Sequence, residues 1–162
     1  MTADETRAGA AVQPRSSAAV EPRSSGAVEP RPSLHVLVGL ITDGAGRVLV
    51  NRRRPGTHME GFWEFPGGKA AAGETPTAAL RRELDEELGI EVLEAEPFME
   101  LVHEYPDRRV TLDVWRVLRY AGEPHGREQQ ELRWVTVEEL QHIGLLPADE
   151  PILAALRARP LR

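Results

Sequence analysis

A chain of 162 residues with 41% hydrophobic and 28% charged side chains has the size and composition of one globular domain. The net charge of −6 argues against a protein held on nucleic acid by a basic surface, and the absence of cysteine excludes disulfides, thiolate metal sites and a cysteine nucleophile. No apolar run reaches the roughly 20 residues of a membrane span, and no signal-peptide core is recognisable, so we predict a cytoplasmic protein.

The N-terminal segment differs in composition from the rest of the chain. A unit of about eight residues that contains a Pro-Arg pair occurs three times between residues 11 and 33. With so few large apolar side chains, this segment cannot bury enough surface to offset the entropy of ordering it. We therefore predict a disordered tail over residues 1–33 and a single domain over residues 34–162.

The domain mixes strand and helix patterns. Apolar and β-branched runs bounded by turn residues predict strands over 34–42, 48–54, 63–65, 91–104, 109–120 and 131–137. One strong helix begins after Thr75, which is a good N-cap, and ends at Gly89. Shorter helices are predicted near 137–142 and from about Glu150 to Arg159. Mixed strands with few helices indicate an α/β or α+β domain.

The strong helix carries an acidic face. Glu83, Glu86 and Glu87 stand at i, i+3 and i+4, so their side chains share one side of the helix beside a leucine seam. Like charges at this spacing cost some tenths of a kcal/mol per pair, which a bound cation would offset. Carboxylates suit hard cations such as Mg²⁺ or Mn²⁺. The alternative is a solvated face whose acids pair with Arg81 and Arg82.

The surroundings of this face favour the metal interpretation. From Gly68 to Ile90 the chain reads G-x5-E-x7-R-E-L-x-E-E-x-G-I, which resembles the signature of the Nudix hydrolase family at every fixed position. Average residue frequencies would produce this pattern by chance at roughly 10⁻⁷ in a chain of this length. The segments RRRPGTHMEGFWEFPGGK, HEYPDRRVTLDVW, AGEPHGRE and LPADEPI further resemble the MutT branch of that family, over about His35 to Arg159.

This resemblance implies a fold, an activity and a cofactor. The fold would be the Nudix α/β/α sandwich with a mixed β-sheet and a catalytic loop–helix motif. The activity would be Mg²⁺-dependent hydrolysis of a nucleoside triphosphate, with Mn²⁺ as an alternative metal, to monophosphate and pyrophosphate. MutT-type enzymes act on 8-oxo-dGTP and so remove oxidised guanine from the nucleotide pool. The expected partner is the nucleotide, without stable nucleic-acid or membrane binding, and the sequence leaves the oligomeric state open, a monomer being compatible with it.

The resemblance also assigns site residues. The metal ligands would be the carbonyl oxygen of Gly67 and the carboxylates of Glu83, Glu86, Glu87 and Glu128, with Glu83 or Glu128 activating the water. Arg82 would orient the helix carboxylates, and Glu74 would support the preceding loop. The residues expected to approach the substrate are Arg53, His58, Phe65, Lys69, Tyr105, Arg108 and Asp149, with Arg53 and Lys69 as phosphate contacts.

Several of these substrate residues have structural alternatives. Phe65 and Tyr105 could be ordinary core aromatics, His58 could be a surface loop residue, and Asp149 could cap the last helix. Asp149 also departs from the guanine-specific pattern, which carries Asn at this place. An ionised Asp only accepts hydrogen bonds and would favour an amino group, whereas a protonated Asp in an apolar pocket regains a donor.

Three functions therefore remain open at this point. Hydrolysis of 8-oxo-dGTP stands first, and hydrolysis of a cytidine nucleotide such as CTP or 5-methyl-dCTP is the alternative that Asp149 suggests. A non-catalytic Nudix-like recognition module is the third. The intact carboxylates at Glu83, Glu86 and Glu87 and the lack of a basic surface argue against that module.

Overall fold

The computed structural model describes residues 31–161. Residues 1–30 of the predicted tail lie outside the described residues. Its last residues contact the domain, because the carbonyl oxygen of Pro32 accepts a hydrogen bond from the backbone N–H of Arg109 at 2.9 Å. The Arg31 guanidinium donates to the carbonyl oxygen of Tyr105 at 2.9 Å, and the first strand begins at Ser33.

The described residues form seven strands and two α-helices, with four strands before the first helix and three between the two helices. In chain order these are β1 (Ser33–Leu40), β2 (Val48–Arg52), β3 (Trp63–Glu64), β4 (Gly67–Lys69), α1 (Pro76–Leu88), β5 (Glu91–Glu104), β6 (Arg109–Ala121), β7 (Leu132–Val135) and α2 (Glu150–Ala158). Two short 3-10 turns, Glu139–Gln141 and Pro147–Asp149, precede α2. None of the helices in this described part is long and apolar enough to cross a membrane.

The strands form two sheets. The larger has the order β4-β1-β6-β5, with β1 parallel to β6 and the remaining pairs antiparallel. The smaller is antiparallel, with the order β3-β2-β7. A mixed sheet accompanied by two helices confirms the predicted fold class.

Two apolar clusters place the helices on opposite sides of the larger sheet. Leu37 of β1 packs in one cluster with Leu84 of α1, whereas its neighbour Val38 packs in the other cluster with Ile152 of α2. Successive strand residues point to opposite faces, so β1 lies between α1 and α2. Gly39 lets α1 approach closely, since a Cβ there would lie 2.9 Å from Cδ1 of Leu84.

The first helix has the predicted ends. The Thr75 hydroxyl accepts a hydrogen bond from the N–H of Ala78 at 3.3 Å, and Pro76 occupies the first helical position. Gly89 adopts a left-handed conformation with φ of 67°, and its N–H donates to the carbonyl oxygen of Asp85 at 2.9 Å. These caps fix where the acidic face of α1 starts and stops.

Three elements differ from the sequence predictions. Strand β2 ends at Arg52, because Arg53 leaves the sheet and bonds through its backbone to Gly61 and Phe62 across a loop. Strand β4 was not predicted, since glycines have little strand preference and this strand forms by pairing with β1. The expected helix over 137–142 is only a 3-10 turn.

Candidate active site

The acidic face of α1 has the predicted orientation. Leu84 and Leu88 are fully buried, and Glu83 and Glu87 lie half-buried beside them. Glu86 is exposed, as are the side chains of Arg81 and Asp85 on the solvent side. The helix therefore presents two partly desolvated carboxylates and one exposed carboxylate along one side.

Arg82 links the loop before α1 to the carboxylates on it. Its guanidinium donates to both oxygens of Glu74 at 2.8 Å, to Glu83 at 2.9 Å and to Glu86 at 3.3 Å. A further bond of 3.0 Å reaches the carbonyl oxygen of Lys69. This two-bond pairing with Arg82 lowers the pKa of Glu74 to about 2. Arg82 thus contacts two of the three helix carboxylates that the resemblance expects it to orient, Glu83 and Glu86, and not the third, Glu87.

Two consecutive glycines let the helix carboxylates approach the loop. The backbone N–H of Gly67 donates to Oε2 of Glu87 at 3.1 Å. At Gly68 a Cβ would lie 2.1 Å from Oε2 of Glu83, so a side chain there would displace that carboxylate. The loop backbone and the acidic face are therefore in direct contact.

The carboxylates of α1 repel each other and their neighbours. Burial raises the pKa of Glu87 to about 8, and the charges of Glu64, Glu128 and Glu83 add to that rise against the Gly67 hydrogen bond. Burial also raises the pKa of Glu83, opposed by Arg82 and reinforced by Glu86 and Glu128. Glu128 lies on the loop between β6 and β7, where Arg54 pairs with it at 3.9 Å. The five predicted ligand residues are thus neighbours in the fold.

A divalent cation fits the chemistry of this cluster. Carboxylate and carbonyl oxygens are the ligands that Mg²⁺ prefers, and a cation would offset the cost of holding these negative charges partly buried and close to one another, the two causes that raise the pKa values of Glu83 and Glu87. Within residues 31–161, no three acidic or histidine side chains converge on one metal position as they are placed. Arg82 holds Glu83 and Glu86 by hydrogen bonds, and the Gly67 N–H holds Glu87.

A cavity of about 440 Å³ opens beside Glu87. Its walls come from β1 and β6, from the loop after β2, and from the turn before α2. It is lined by all seven predicted substrate residues, Arg53, His58, Phe65, Lys69, Tyr105, Arg108 and Asp149. Apolar walls with a few polar groups are typical of small-molecule sites. The same cavity also reaches Gly67 and Gly68, so it adjoins the acidic cluster.

Asp149 is the buried acid of this cavity. It is 5% exposed, and its Oδ2 accepts a hydrogen bond from the backbone N–H of Phe65 at 3.1 Å. Although Asp149 stands at the N-cap of α2, its side chain makes no capping bond, so capping does not account for the carboxylate. Burial raises its pKa to about 7, with Glu64 adding to the rise and Phe65 and Arg53 opposing it.

The aromatic residues divide between core and cavity. Phe65 is 3% exposed and belongs to the apolar cluster of α2, yet it also lines the cavity. Tyr105 is half-buried, with His58 edge-on at 5.8 Å and the Arg108 guanidinium 5.2 Å from its ring centroid. Arg108 lines the cavity, and its buried Nε has no hydrogen-bond partner among residues 31–161.

Glu64 is a cavity residue that the sequence analysis missed. Its carboxylate accepts hydrogen bonds from Arg53 at 3.1 Å and from Asn51 at 3.3 Å. The same Arg53 guanidinium also donates to the carbonyl oxygen of His58. Burial raises the pKa of Glu64, with Arg53 opposing the rise. The available signal was a charged residue between the aromatic residues Trp63 and Phe65, both of which are buried.

Comparison with known proteins agrees with this geometry. The model of the NUDIX domain family matches residues 37–155. An 8-oxo-dGTP diphosphatase of Escherichia coli K12 is 41% identical over 125 residues, which cover 77% of this chain and 97% of that protein. A CTP pyrophosphohydrolase of the same organism is 37% identical over 122 residues, covering 75% and 90% respectively.

Solved structures have the same fold. A MutT structure from work on Aliivibrio salmonicida and Vibrio cholerae matches with a TM-score of 0.69 and 33% identity, over 78% of this chain and 98% of that one. The solution structure of the E. coli ORF135 protein matches with a TM-score of 0.70 and 36% identity, over 82% and 96%. The family model spans most of the described domain, and its relatives match nearly end to end. This chain therefore belongs to the Nudix family and is a Nudix hydrolase.

Proposed function

We propose that this Nudix hydrolase converts nucleoside triphosphates to monophosphate and pyrophosphate with Mg²⁺, and that its principal substrate is 8-oxo-dGTP. The observation that carries the proposal is the continuity of the cavity, which extends from buried Asp149 to Gly67 and Glu87 at the acidic cluster. A nucleotide whose base lies beside Asp149 would have its phosphates close to the carboxylates of α1. The 41% identical relative named for 8-oxo-dGTP supports the choice of base.

The residues that would hold the metal are the carboxylates of Glu83, Glu86, Glu87 and Glu128 and the carbonyl oxygen of Gly67. A bound divalent cation neutralises phosphate charge and makes water more acidic. Because Arg82 bonds to both Glu83 and Glu86, it would keep these carboxylates oriented when they turn to a ligand.

The proposed reaction is a displacement at the β-phosphorus. A water oxygen forms a bond to the β-phosphorus. At the same time, the bond between the β-phosphorus and the oxygen that it shares with the α-phosphate breaks. The shared oxygen leaves with the nucleoside monophosphate, and the water proton passes to the carboxylate of Glu83 or Glu128. Arg53 and Lys69 at the cavity edge supply positive charge for the phosphates. We expect the free nucleotide to be a substrate without a nucleic-acid partner.

A cytidine nucleotide is the second candidate, and Asp149 is the reason for it. An ionised Asp149 accepts hydrogen bonds and therefore suits the exocyclic amino group of cytosine. A relative 37% identical to this chain is named a CTP pyrophosphohydrolase. In its protonated form, which burial favours, the same carboxyl group can donate to a purine carbonyl oxygen and so suits the first candidate.

Hydrolysis of 8-oxo-dGTP, dGTP, CTP and 5-methyl-dCTP with Mg²⁺ in ¹⁸O-labelled water tests both points. A preference for 8-oxo-dGTP, with the label in pyrophosphate, is the expected result. Label in the monophosphate would reject attack at the β-phosphorus. Preference for a cytidine would reassign Asp149 as an acceptor for an amino group, and no turnover of any of the four would overturn the proposed substrate class.

A further inference from the structure

The C-terminal end of α1 is covered by the loop between β6 and β7. The last carbonyl groups of a helix lack partners within the helix and need them elsewhere. Here the N–H of His125 donates to the carbonyl oxygen of Leu88 at 3.0 Å, and the N–H of Arg127 donates to that of Glu87 at 3.0 Å. The Arg127 side chain bonds to the carbonyl oxygen of Asp85 at 3.0 Å. The loop that carries Glu128 is thus built onto the helix that carries the other carboxylates.

Gln130 completes this attachment with both ends of its amide. Its Nε2 donates to the carbonyl oxygen of Glu87 at 3.0 Å, and its Oε1 accepts the backbone N–H of Glu128 at 2.9 Å. Reversing the amide would place donor against donor and acceptor against acceptor, so these partners fix its orientation. Gln130 is 8% exposed, and buried hydrogen bonds of this kind are costly to lose.

The backbone around Gln130 is shaped to fit this arrangement. Gln129 adopts a left-handed conformation with φ of 63°, which a residue other than glycine rarely does. A Cβ at Gly126 would lie 2.2 Å from the carbonyl oxygen of Gln130, so only glycine allows the loop to close this tightly. The loop therefore holds one tight conformation around the Gln130 side chain.

We propose that Gln130 is a positioning residue that sets the place of Glu128 relative to the carboxylates of α1. The Glu128 side chain is exposed and its ion pair with Arg54 is long, at 3.9 Å, so its position must come mainly from its backbone. Gln130 bridges that backbone to the carbonyl group of Glu87, the residue whose carboxylate faces Gly67. The inference rests on the proposed role of Glu128 in metal binding.

Gln130→Met tests this role because it removes both hydrogen bonds at similar volume. The readout is Mn²⁺ affinity of the full-length protein, measured by electron paramagnetic resonance without nucleotide. We expect Gln130→Met to weaken Mn²⁺ binding about tenfold, the usual effect of losing a group that orients a metal ligand. Substrate KM at saturating metal should remain within twofold of the unaltered protein.

A double-mutant cycle separates positioning from general destabilisation. If Gln130 acts through Glu128, the pair Gln130→Met with Glu128→Gln should bind Mn²⁺ no more weakly than Glu128→Gln alone. Arg127→Met is the matched control, because Arg127 attaches the same loop to the same helix end through Asp85. That control should keep its Mn²⁺ affinity within twofold. Should Gln130→Met fail to fold, Gln130→Asn keeps a neutral amide that is too short for both bonds and should weaken Mn²⁺ binding similarly.

The outcomes distinguish this inference from the proposed function. Unchanged Mn²⁺ binding and turnover in Glu128→Gln would remove Glu128 from the proposed site. A loss in Glu128→Gln without a loss in a folded Gln130 variant would overturn the role of Gln130 alone. Fully additive losses in the double variant, or an equal loss in Arg127→Met, would also overturn it.

Discussion

The carboxylate of Asp149 accepts a hydrogen bond from the backbone N–H of Phe65 at 3.1 Å inside the cavity. This bond commits one carboxylate oxygen to the protein, and under the proposed function the second would accept a hydrogen bond from the base or donate one to it. Because burial raises the pKa of Asp149 to about 7, its neutral and ionised forms are both populated near neutral pH. We therefore expect the charge of this one residue to affect the stability of the fold and, if Asp149 reads the base as proposed, the choice of base as well.

Asp149→Asn should stabilise the protein more at pH 8 than at pH 5. The folded-state pKa, about 7, lies above the unfolded value near 4, so the folded protein binds the proton more tightly. This stabilising contribution is fully present below pH about 4 and is lost as pH rises to about 7. An amide does not titrate and still accepts from Phe65.

Urea unfolding of both proteins at pH 5 and pH 8 measures this effect. The difference in their free energy of unfolding should grow by up to about 1.4 kcal/mol for each pH unit until pH 7. A difference that stays constant between the two pH values would show that Asp149 is ionised throughout. The variant should also shift kcat/KM toward 8-oxo-dGTP, and unchanged ratios across bases would reject Asp149 as a base reader.

Glu83→Gln should leave the fold intact and lower Mg²⁺-dependent kcat by at least about 100-fold. The amide oxygen can still accept the hydrogen bond of 2.9 Å from the Arg82 guanidinium, so this contact is kept while the negative charge is lost. Asp85→Asn is the control, since Asp85 lies exposed on the same helix. Turnover near that of the unaltered protein in a folded Glu83→Gln would end its assignment.

Alanine at Gly67 and at Gly68, the two glycines of β4, should affect different properties of the protein. A Cβ at Gly67 would lie 1.8 Å from the backbone carbonyl oxygen of Leu37, so Gly67→Ala should disturb the pairing of β4 with β1 and lower the melting temperature. The nearest atoms to a Cβ at Gly68 belong to the flexible end of Glu83, so Gly68→Ala should fold but lose Mn²⁺ affinity. Gly44→Ala, with nothing within 4 Å, is the inert control.

Calorimetry and Mn²⁺ titration of the three alanine variants would check these expectations. Equal melting temperatures for Gly67→Ala and Gly44→Ala would mean that the loop backbone can move away from β1. Unaltered Mn²⁺ affinity in Gly68→Ala would mean that the Glu83 carboxylate has another arrangement suited to metal.

Removal of residues 1–30 should leave kcat, KM and melting temperature essentially unchanged, because that segment lacks the apolar surface to dock. Removal of residues 1–33 should raise KM, since it deletes the bond from Arg31 to the carbonyl oxygen of Tyr105 and that from Arg109 to Pro32. Steady-state kinetics of the two truncated proteins test the boundary. A marked loss on the shorter deletion would show that the repeat segment contributes to the domain.

Local signals in the sequence predicted the helix that carries the chemistry. Thr75, Pro76 and Gly89 start and end α1 through contacts with residues only a few positions away in the chain, so the ends of this helix can be predicted without knowledge of the fold. The acidic face follows from helical periodicity alone. Long-range relationships were not predictable in this way: β4 exists because Gly68 pairs with Leu37 of a distant strand.

The missed site residues have the same cause. Glu64 accepts hydrogen bonds from Asn51 and Arg53, which lie beside it because the two-residue strand β3 pairs with β2. Gln130 acts through the backbone of Glu87, 43 residues earlier in the chain. Neither set of partners is suggested by periodicity or by a spacing, because the first arises from the pairing of β2 with β3 and the second from the packing of the loop between β6 and β7 on α1.

The parallel pairing of β1 with β6 has a consequence for folding. Leu37 lies opposite Asp113, and all of α1 and β5 separate the two strands in the chain. Closing a loop of this length loses much chain entropy before any contact is gained, so folding should be slow, on the order of milliseconds to seconds. Val36 and Leu112, which pair across this junction, both line the cavity. A nucleotide can therefore bind only after this pairing has formed, and its binding should slow the separation of β1 from β6 during unfolding.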